Sequence, residues 1–409
     1  MFKKSKLLFS ILALFVVTLA CANPLGSGTA PAAPANVETI VAATFAALTT
    51  VPATEAGATP PPATESLLPA SVYFLNADGA SLTQIYRLET DGVTVTQLTF
   101  EPANVDDYDV SQVDGSIVYT SNNQLFTILR DGSNRSMIVD GGVRDPGNPA
   151  TTVLSNPLWS PDAQTIAFGH KGINLYSVVA GQSTLTLPSK IDSAGFGQMF
   201  WPESYSPDGT KLLITIAPVA SDGSFSAIYT PGSNTVIEII DPFGGAGSTC
   251  CSFSWSADSA SIYTGTAFLS PFTSAGLSRV DTNSGKMEAL LTSDELAETF
   301  NLATNPFLAP DGQLYFIYAN QSGLNNFSIN VDLQMVRSAP DGVTGRTVLR
   351  PESFSNASGF LWAPDASFLI ATTYPAPDVY AGGPAQLYYS DGRPPVSLVP
   401  FAMEIKWGP

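Results

Sequence analysis

An all-β fold built from repeated four-stranded antiparallel units is predicted by three features of the sequence. A tight-turn signature recurs at nearly constant spacing, a strongly β-prone run follows each copy, and Asp-Gly hairpin signals separate further pairs of alternating strands. A period near fifty residues is the mark of a radially repeated sheet, a β-propeller, in which each unit buries its faces against its neighbours.

The turn signature comes first. Trp159-Ser160-Pro161-Asp162 precedes Thr165-Ile166-Ala167-Phe168, and Tyr205-Ser206-Pro207-Asp208-Gly209 precedes Lys211-Leu212-Leu213-Ile214. Trp255-Ser256-Ala257-Asp258 leads into Ser261-Ile262-Tyr263, Leu308-Ala309-Pro310-Asp311-Gly312 into Leu314-Tyr315-Phe316-Ile317, and Trp362-Ala363-Pro364-Asp365 into Phe368-Leu369-Ile370. A decayed copy, Ser111-Gln112-Val113-Asp114-Gly115, precedes Ile117-Val118-Tyr119. The proline-equivalent positions 113, 161, 207, 257, 310 and 364 are 48, 46, 50, 53 and 54 residues apart. Pro presets φ at the first corner of a turn, Asp accepts backbone N–H groups, and Gly tolerates positive φ. These aspartates are therefore read as turn formers, not as catalytic or metal-binding groups.

A second hairpin follows each signature. Gln84 to Leu88 and Thr94 to Leu98 flank Asp91-Gly92, Leu125 to Ile128 and Met137 to Val139 flank Asp131-Gly132, and Ala385 to Tyr389 and Val396 to Leu398 flank Asp391-Gly392. Asp-Gly between alternating strands is a strong hairpin signal. Each unit thus reads as four strands, A to D.

This alternation of Trp-Ser-Pro-Asp-Gly turns with Leu-Tyr…Asp-Gly hairpins resembles the TolB-like propeller repeat, over about residues 71–409. The resemblance implies the fold; it implies no single function, because such propellers serve many roles. The first unit opens at Ser71-Val72-Tyr73-Phe74-Leu75 without a strand A, and the chain ends in Ala402-Met403-Glu404-Ile405-Lys406-Trp407-Gly408-Pro409, a lone strand A with a truncated signature. The economical reading is that the C-terminal strand completes the first blade and removes the exposed edges. That gives seven blades, one more than TolB; a six-bladed ring with an irregular extra hairpin is the alternative.

Lys3, Lys4 and Lys6 precede an apolar run from Leu7 to Val17, the layout of an export signal and too short to span a bilayer comfortably. Residues 1–20 are read as a lipoprotein-type signal with Cys21 as the lipidated N-terminus, although Thr18 stands where such signals usually carry Leu. The competing reading takes Ala20-Cys21-Ala22 as a cleavage site and leaves Asn23 first. Both place the mature chain outside the cytoplasm. Residues 21–70 are rich in Ala, Thr and Pro and read as a tether between anchor and ring. Val37, Ile40, Val41, Thr44, Phe45 and Leu48 sit at helical spacing within it, which reads as a short transient helix in a linker, with a docking element as the alternative.

Composition narrows the function. The formal net charge is −18, and without Lys3, Lys4 and Lys6 there are 14 basic residues against 35 acidic ones. Nucleic acid and anionic headgroups are thereby disfavoured as partners. His170 is the one histidine, so a zinc site or a Ser-His-Asp triad would rest on a single imidazole. No Gly-x-Ser-x-Gly elbow marks a hydrolase domain, and Gly244-Gly245-Ala246-Gly247 lacks a following helix pattern and reads as a loop. No catalytic residue, metal or cofactor is expected. Cys250-Cys251 reads as two buried small residues, as a vicinal disulfide or as a redox pair.

The A–B and C–D turns are short, whereas the B–C and D–A connections hold the long loops. Long loops on a rigid scaffold are where recognition sits. The candidate recognition face carries Phe196, Trp201, Phe243, Phe272, Phe327, Tyr374 and Tyr380; the competing reading packs these rings locally over the blades. The expected function is that of a monomeric, lipid-anchored module binding an envelope protein, peptide or glycan. The alternative is a propeller hydrolase or lyase working at the channel mouth.

Overall fold

In the computed structural model, Thr64–Pro409 forms one compact unit. The structure describes residues 66–409 except 146–151, 193–194, 220–222, 250–251, 268–275, 294–298, 323–331, 356 and 375–380. Cys21, Cys250, Cys251, Phe272, Phe327 and Tyr380 lie outside the described residues.

In chain order the strands are β1 (Val72–Ala77), β2 (Thr83–Leu88), β3 (Val95–Gln97), β4 (Val105–Val110), β5 (Ile117–Ser121), β6 (Gln124–Ile128), β7 (Ser136–Asp140), β8 (Ser155–Trp159), β9 (Thr165–Gly169) and β10 (Gly172–Ser177). There follow β11 (Gln182–Pro188), β12 (Lys190–Ile191), β13 (Gly197–Tyr205), β14 (Leu212–Pro218), β15 (Phe225–Thr230), β16 (Thr235–Glu238), β17 (Ser252–Trp255), β18 (Ser261–Thr266) and β19 (Gly276–Asp281). The last are β20 (Met287–Thr292), β21 (Thr299–Leu308), β22 (Leu314–Ser322), β23 (Leu333–Ser338), β24 (Thr347–Phe354), β25 (Ala357–Trp362), β26 (Phe368–Thr373), β27 (Gly383–Tyr389) and β28 (Val396–Trp407).

The fold is all-β, in antiparallel meanders. Four-stranded sheets are formed by β4–β7, β8–β11, β17–β20 and β21–β24, and β13–β16 gains the two-residue β12 at its inner edge. The sixth sheet runs β25-β26-β27-β28-β1-β2-β3. Its long strand β28 belongs to two meanders. The first part pairs with β27 (Leu387 with Val396, Ala385 with Val399), and the end pairs with β1 (Leu75 with Met403, Val72 with Trp407). The C-terminal strand therefore completes the sheet begun by β1, as the sequence predicts. Leu68 is buried at this seam with Val72, Phe74, Phe368 and Ile370, ahead of residue 71.

The second strand of each meander is a continuous apolar run because it is covered on both faces. All five residues of β5 are buried, and so are Leu212 to Ile214 of β14 and Phe368 to Thr372 of β26. One core cluster joins Leu213 and Ile228 to Ile262 and Val280 of the next sheet, and another joins Phe316 and Val336 to Tyr263 and Leu277. Sheet thus packs on sheet around the ring.

The turn signatures fold as their chemistry requires. Ser206 Oγ donates to Asp208 Oδ1 at 2.6 Å, and Lys211 N donates back to Ser206 Oγ at 2.9 Å. The same pairings recur at Ser160 and Asp162 and at Ser256 and Asp258. The left-handed position is filled by Gly209, Gly312 and Gly115, but by Ala163, Ser259 and Ala366 in the other copies. The serine hydroxyls hold Asp162, Asp208 and Asp258 below the ordinary carboxylate range. Three of the signature tryptophans tie one inner strand to the preceding one: Trp255 Nε1 donates to Ser204 Oγ at 2.7 Å, Trp362 Nε1 to Asn305 O at 2.8 Å, and Trp407 Nε1 to Trp362 O at 2.7 Å.

Candidate functional site

The first strand of each meander lines the inside of the ring, and these strands share an irregularity. In β4, Asp106 is an extra residue between the pairs Val105–Ser121 and Asp107–Thr120. Glu203 is the extra residue in β13, and Ser358 in β25. In β8, Asn156 and Pro157 together oppose one residue of β9; Asn305 and Pro306 do the same in β21, and Glu404 and Ile405 in β28. A β-bulge re-aims a side chain and bends the strand. Six inner strands thus carry a bulge, each with a polar residue: Asp106, Asn156, Glu203, Asn305, Ser358 and Glu404. Asn156, Asn305 and Glu404 have φ near +50°, a left-handed conformation that Asn tolerates and Glu adopts at a cost.

The acidic members converge. The charge of Asp107, on β4, is felt at both Glu203 on β13 and Glu404 on β28, three strands from different sheets. Burial pushes Asp107 and Glu203 above the usual carboxylate range. Glu404 is pushed up to about 7 by enclosure and by Asp107, although its side chain is open to water. Lys406 lies 3.6 Å from Asp109 and donates to Tyr108 O. Burial alone would lower its pKa, but Asp109, Asp107 and Glu404 together raise it, so it stays cationic. Asp109 also accepts Trp159 N–H at 2.8 Å, and Tyr108 Oη donates to Glu404 O at 2.5 Å.

A cavity of about 450 Å³ opens beside these groups, lined by Asp106, Asp107, Thr120, Ser155, Asn156 and Glu404 together with Arg144, Val153 and Leu154. It lies at the end of the ring where β7 connects to β8, the long-loop face. Arg144 is paired with Asp106 at 2.7 Å. Thr120 is fully buried, and its Oγ1 has no hydrogen-bond partner among the described residues. A larger cavity of about 600 Å³ lies on the opposite, short-turn face between the Pro161 and Pro207 turns. Among the described residues no group of three or more metal-ligating side chains is assembled.

The sequence-predicted residues are distributed unevenly. Phe196 and Phe243 are 59% and 86% exposed at the tips of D–A connections. Asp192 Oδ1 accepts Phe196 N–H, and Asp241 Oδ1 accepts the N–H groups of Phe243 and Gly245, so both tips are shaped by an aspartate. Trp201 is half-buried within β13 against Gly169, so it stands on the inner wall and not on a loop. Tyr374 is half-buried and engaged with a neighbour. His170 is half-buried, its Nε2 lacks a partner among the described residues, and burial and Lys171 lower its pKa.

Two sets of residues escape the sequence reading. Phe100, 77% exposed, lies on the connection from β3 to β4, so the three exposed phenylalanines among the described residues all sit on D–A connections of one face. The bulge residues had a faint signal: a polar residue four to seven positions before the turn proline breaks each apolar approach, as Asn156, Glu203, Asn305 and Glu404 do.

Ring, inner-strand bulges and channel mouth define a β-propeller. No family model and no curated protein sequence matches this chain. Among solved structures, an oligogalacturonate lyase in complex with manganese is 10% identical, with a TM-score of 0.50 over 80% of this chain and 84% of that one. The oligogalacturonate lyase from Vibrio parahaemolyticus is 9% identical, with a TM-score of 0.50 over 81% of this chain and 86% of its own. TolB from Acinetobacter baumannii is 13% identical, with a TM-score of 0.41 over 82% of each chain. At these identities the lyase structures establish the fold and nothing about the activity.

Proposed function

We propose that this protein is an extracytoplasmic binding propeller, which presents its long-loop face to an envelope protein, peptide or glycan. The observation that carries this reading is the one-sided placement of exposed rings. Phe100, Phe196 and Phe243 stand on the first, third and fourth D–A connections, on the face that also holds the channel mouth. Exposed aromatic side chains supply rigid contact area at interfaces. We read the ring as seven-bladed, with β28 counted in two blades, and as held outside the cytoplasm by the export signal, with Cys21 as the anchor. No helix of the described residues is long and apolar enough to cross a membrane.

The test is photo-crosslinking in cells of a bacterial host, with a benzophenone side chain at Phe243 or, as the control on the opposite face, at Val179. Discrete adducts at Phe243 that Phe100→Ala and Phe196→Ala weaken support the reading. Adducts of equal yield at Val179 sink it.

A second reading, a hydrolase or lyase at the same mouth, draws on one observation: Glu404 sits near neutrality beside Asp107, where a carboxyl can hold or release a proton. Turnover of a pectic or peptide substrate that Glu404→Gln abolishes would decide for it.

A further inference from the structure

We infer that the channel mouth is a receptor for a cationic group, an ammonium or guanidinium carried on a basic peptide, held between Asp107 and Glu404 with the Thr120 hydroxyl as a neutral partner and Glu203 adding its charge from beside the cavity. This rests on the binding reading above and names the chemistry of its ligand.

The charge inventory is the first ground. Asp106, Asp107, Asp109 and Glu404 meet two cations, Lys406 and Arg144, and Glu203 adds a fifth carboxyl that feels the charge of Asp107. Arg144 is engaged with Asp106 and Lys406 lies closest to Asp109. Asp107, Glu203 and Glu404 form no ion pair among the described residues. Glu203 accepts from Thr215 Oγ1 at 2.8 Å, and Asp107 from Tyr108 N at 2.7 Å and from the Asn156 backbone, so each keeps acceptor capacity, and among the described residues no hydrogen bond reaches the Glu404 carboxylate. Like charges held this close repel, and an incoming cation relieves that repulsion.

The second ground is independent of charge. Thr120 sits opposite Asp107 across β4 and β5, is 0% exposed, lines the cavity, and leaves its Oγ1 unpartnered. A buried hydroxyl without a partner costs stability. A ligand N–H placed in this cavity satisfies it. The volume of about 450 Å³ accepts a lysine or arginine side chain with its hydration.

Protonation gives the site a pH dependence. Glu404, near 7, must ionise to hold a cation; Asp107 and Lys406 are the charges that act on it, and Asp106 and Arg144 line the same cavity. Binding therefore releases a proton near neutrality and weakens as the pH falls below about 7.

The experiment is titration calorimetry of the full ring with tri-lysine, with its Nε-acetylated counterpart, and with calcium or manganese chloride as the metal arm. Tri-lysine should bind with an affinity that falls with salt and with acid. Glu404→Gln should lower it about tenfold, the loss of one close charge contact, and Glu203→Gln should lower it by less. Thr120→Val should lower it while the melting temperature holds or rises, a separation that a purely structural threonine would not produce. Equal binding of the acetylated peptide, unchanged affinity in both Glu→Gln variants, or metal binding with no peptide binding would each overturn the inference. Those outcomes leave the Phe243 crosslinks untouched, so the two readings fail separately.

Discussion

Glu404→Gln tests the electrostatics of the channel mouth through stability alone. The folded ring raises this carboxyl from 4.5 to about 7, so the fold prefers the protonated form. At about 1.36 kcal/mol per pH unit, the gap caps the cost of ionising it in the fold at roughly 3.4 kcal/mol. Glu404 is open to channel water, and screening reduces that to about 1–2 kcal/mol. The sign follows from the raised value: the carboxyl costs the fold nothing below about pH 4.5, and its penalty grows through pH 7. Gln keeps the shape and φ tolerance of Glu and removes the charge, while Lys406 keeps Asp109. The variant should match the parent at pH 4 and exceed it at pH 8. For a ring of this size that is a rise of about 2 °C in melting temperature. Scanning calorimetry at the two pH values reads it. A variant that melts below the parent at pH 8, or whose difference is the same at both, refutes the reasoning.

Two further outcomes follow from ring closure and from the N-terminus. Trp407→Phe removes the indole N–H that Trp362 O accepts and keeps the ring contact with Phe368; the expected loss is about 1–2 kcal/mol in denaturant unfolding, and a neutral result would deny the seam its hydrogen bond. Intact-mass measurement on protein from bacterial membranes should show a lipid increment that Cys21→Ala abolishes; a mature chain beginning at Asn23 would show a secreted protein instead.

Much of the fold is legible locally because its determinants are local. A Ser-Pro-Asp turn is written in adjacent residues, and the doubly covered strands announce themselves as apolar runs. Ring closure is legible too, because a missing strand at one end and a lone strand at the other are both visible in the chain. The resemblance to TolB-like repeats rests on those same short signatures.

The site is another matter. Asp107, Glu203 and Glu404 stand far apart in sequence, and each alone resembles any polar residue in a strand. Their bulges cannot be counted without a partner strand to count against. Trp201 shows the converse: the sequence places it among long-loop aromatics, and the pairing of β13 with β14 draws it onto the inner wall. Sequence by itself determined the repeat, the turns and the closing strand, since these depend on φ preferences and on apolar runs a few residues long. Only the tertiary structure decided which charges meet, because a ring brings together residues from different sheets and electrostatic energy depends on distance through space, not along the chain.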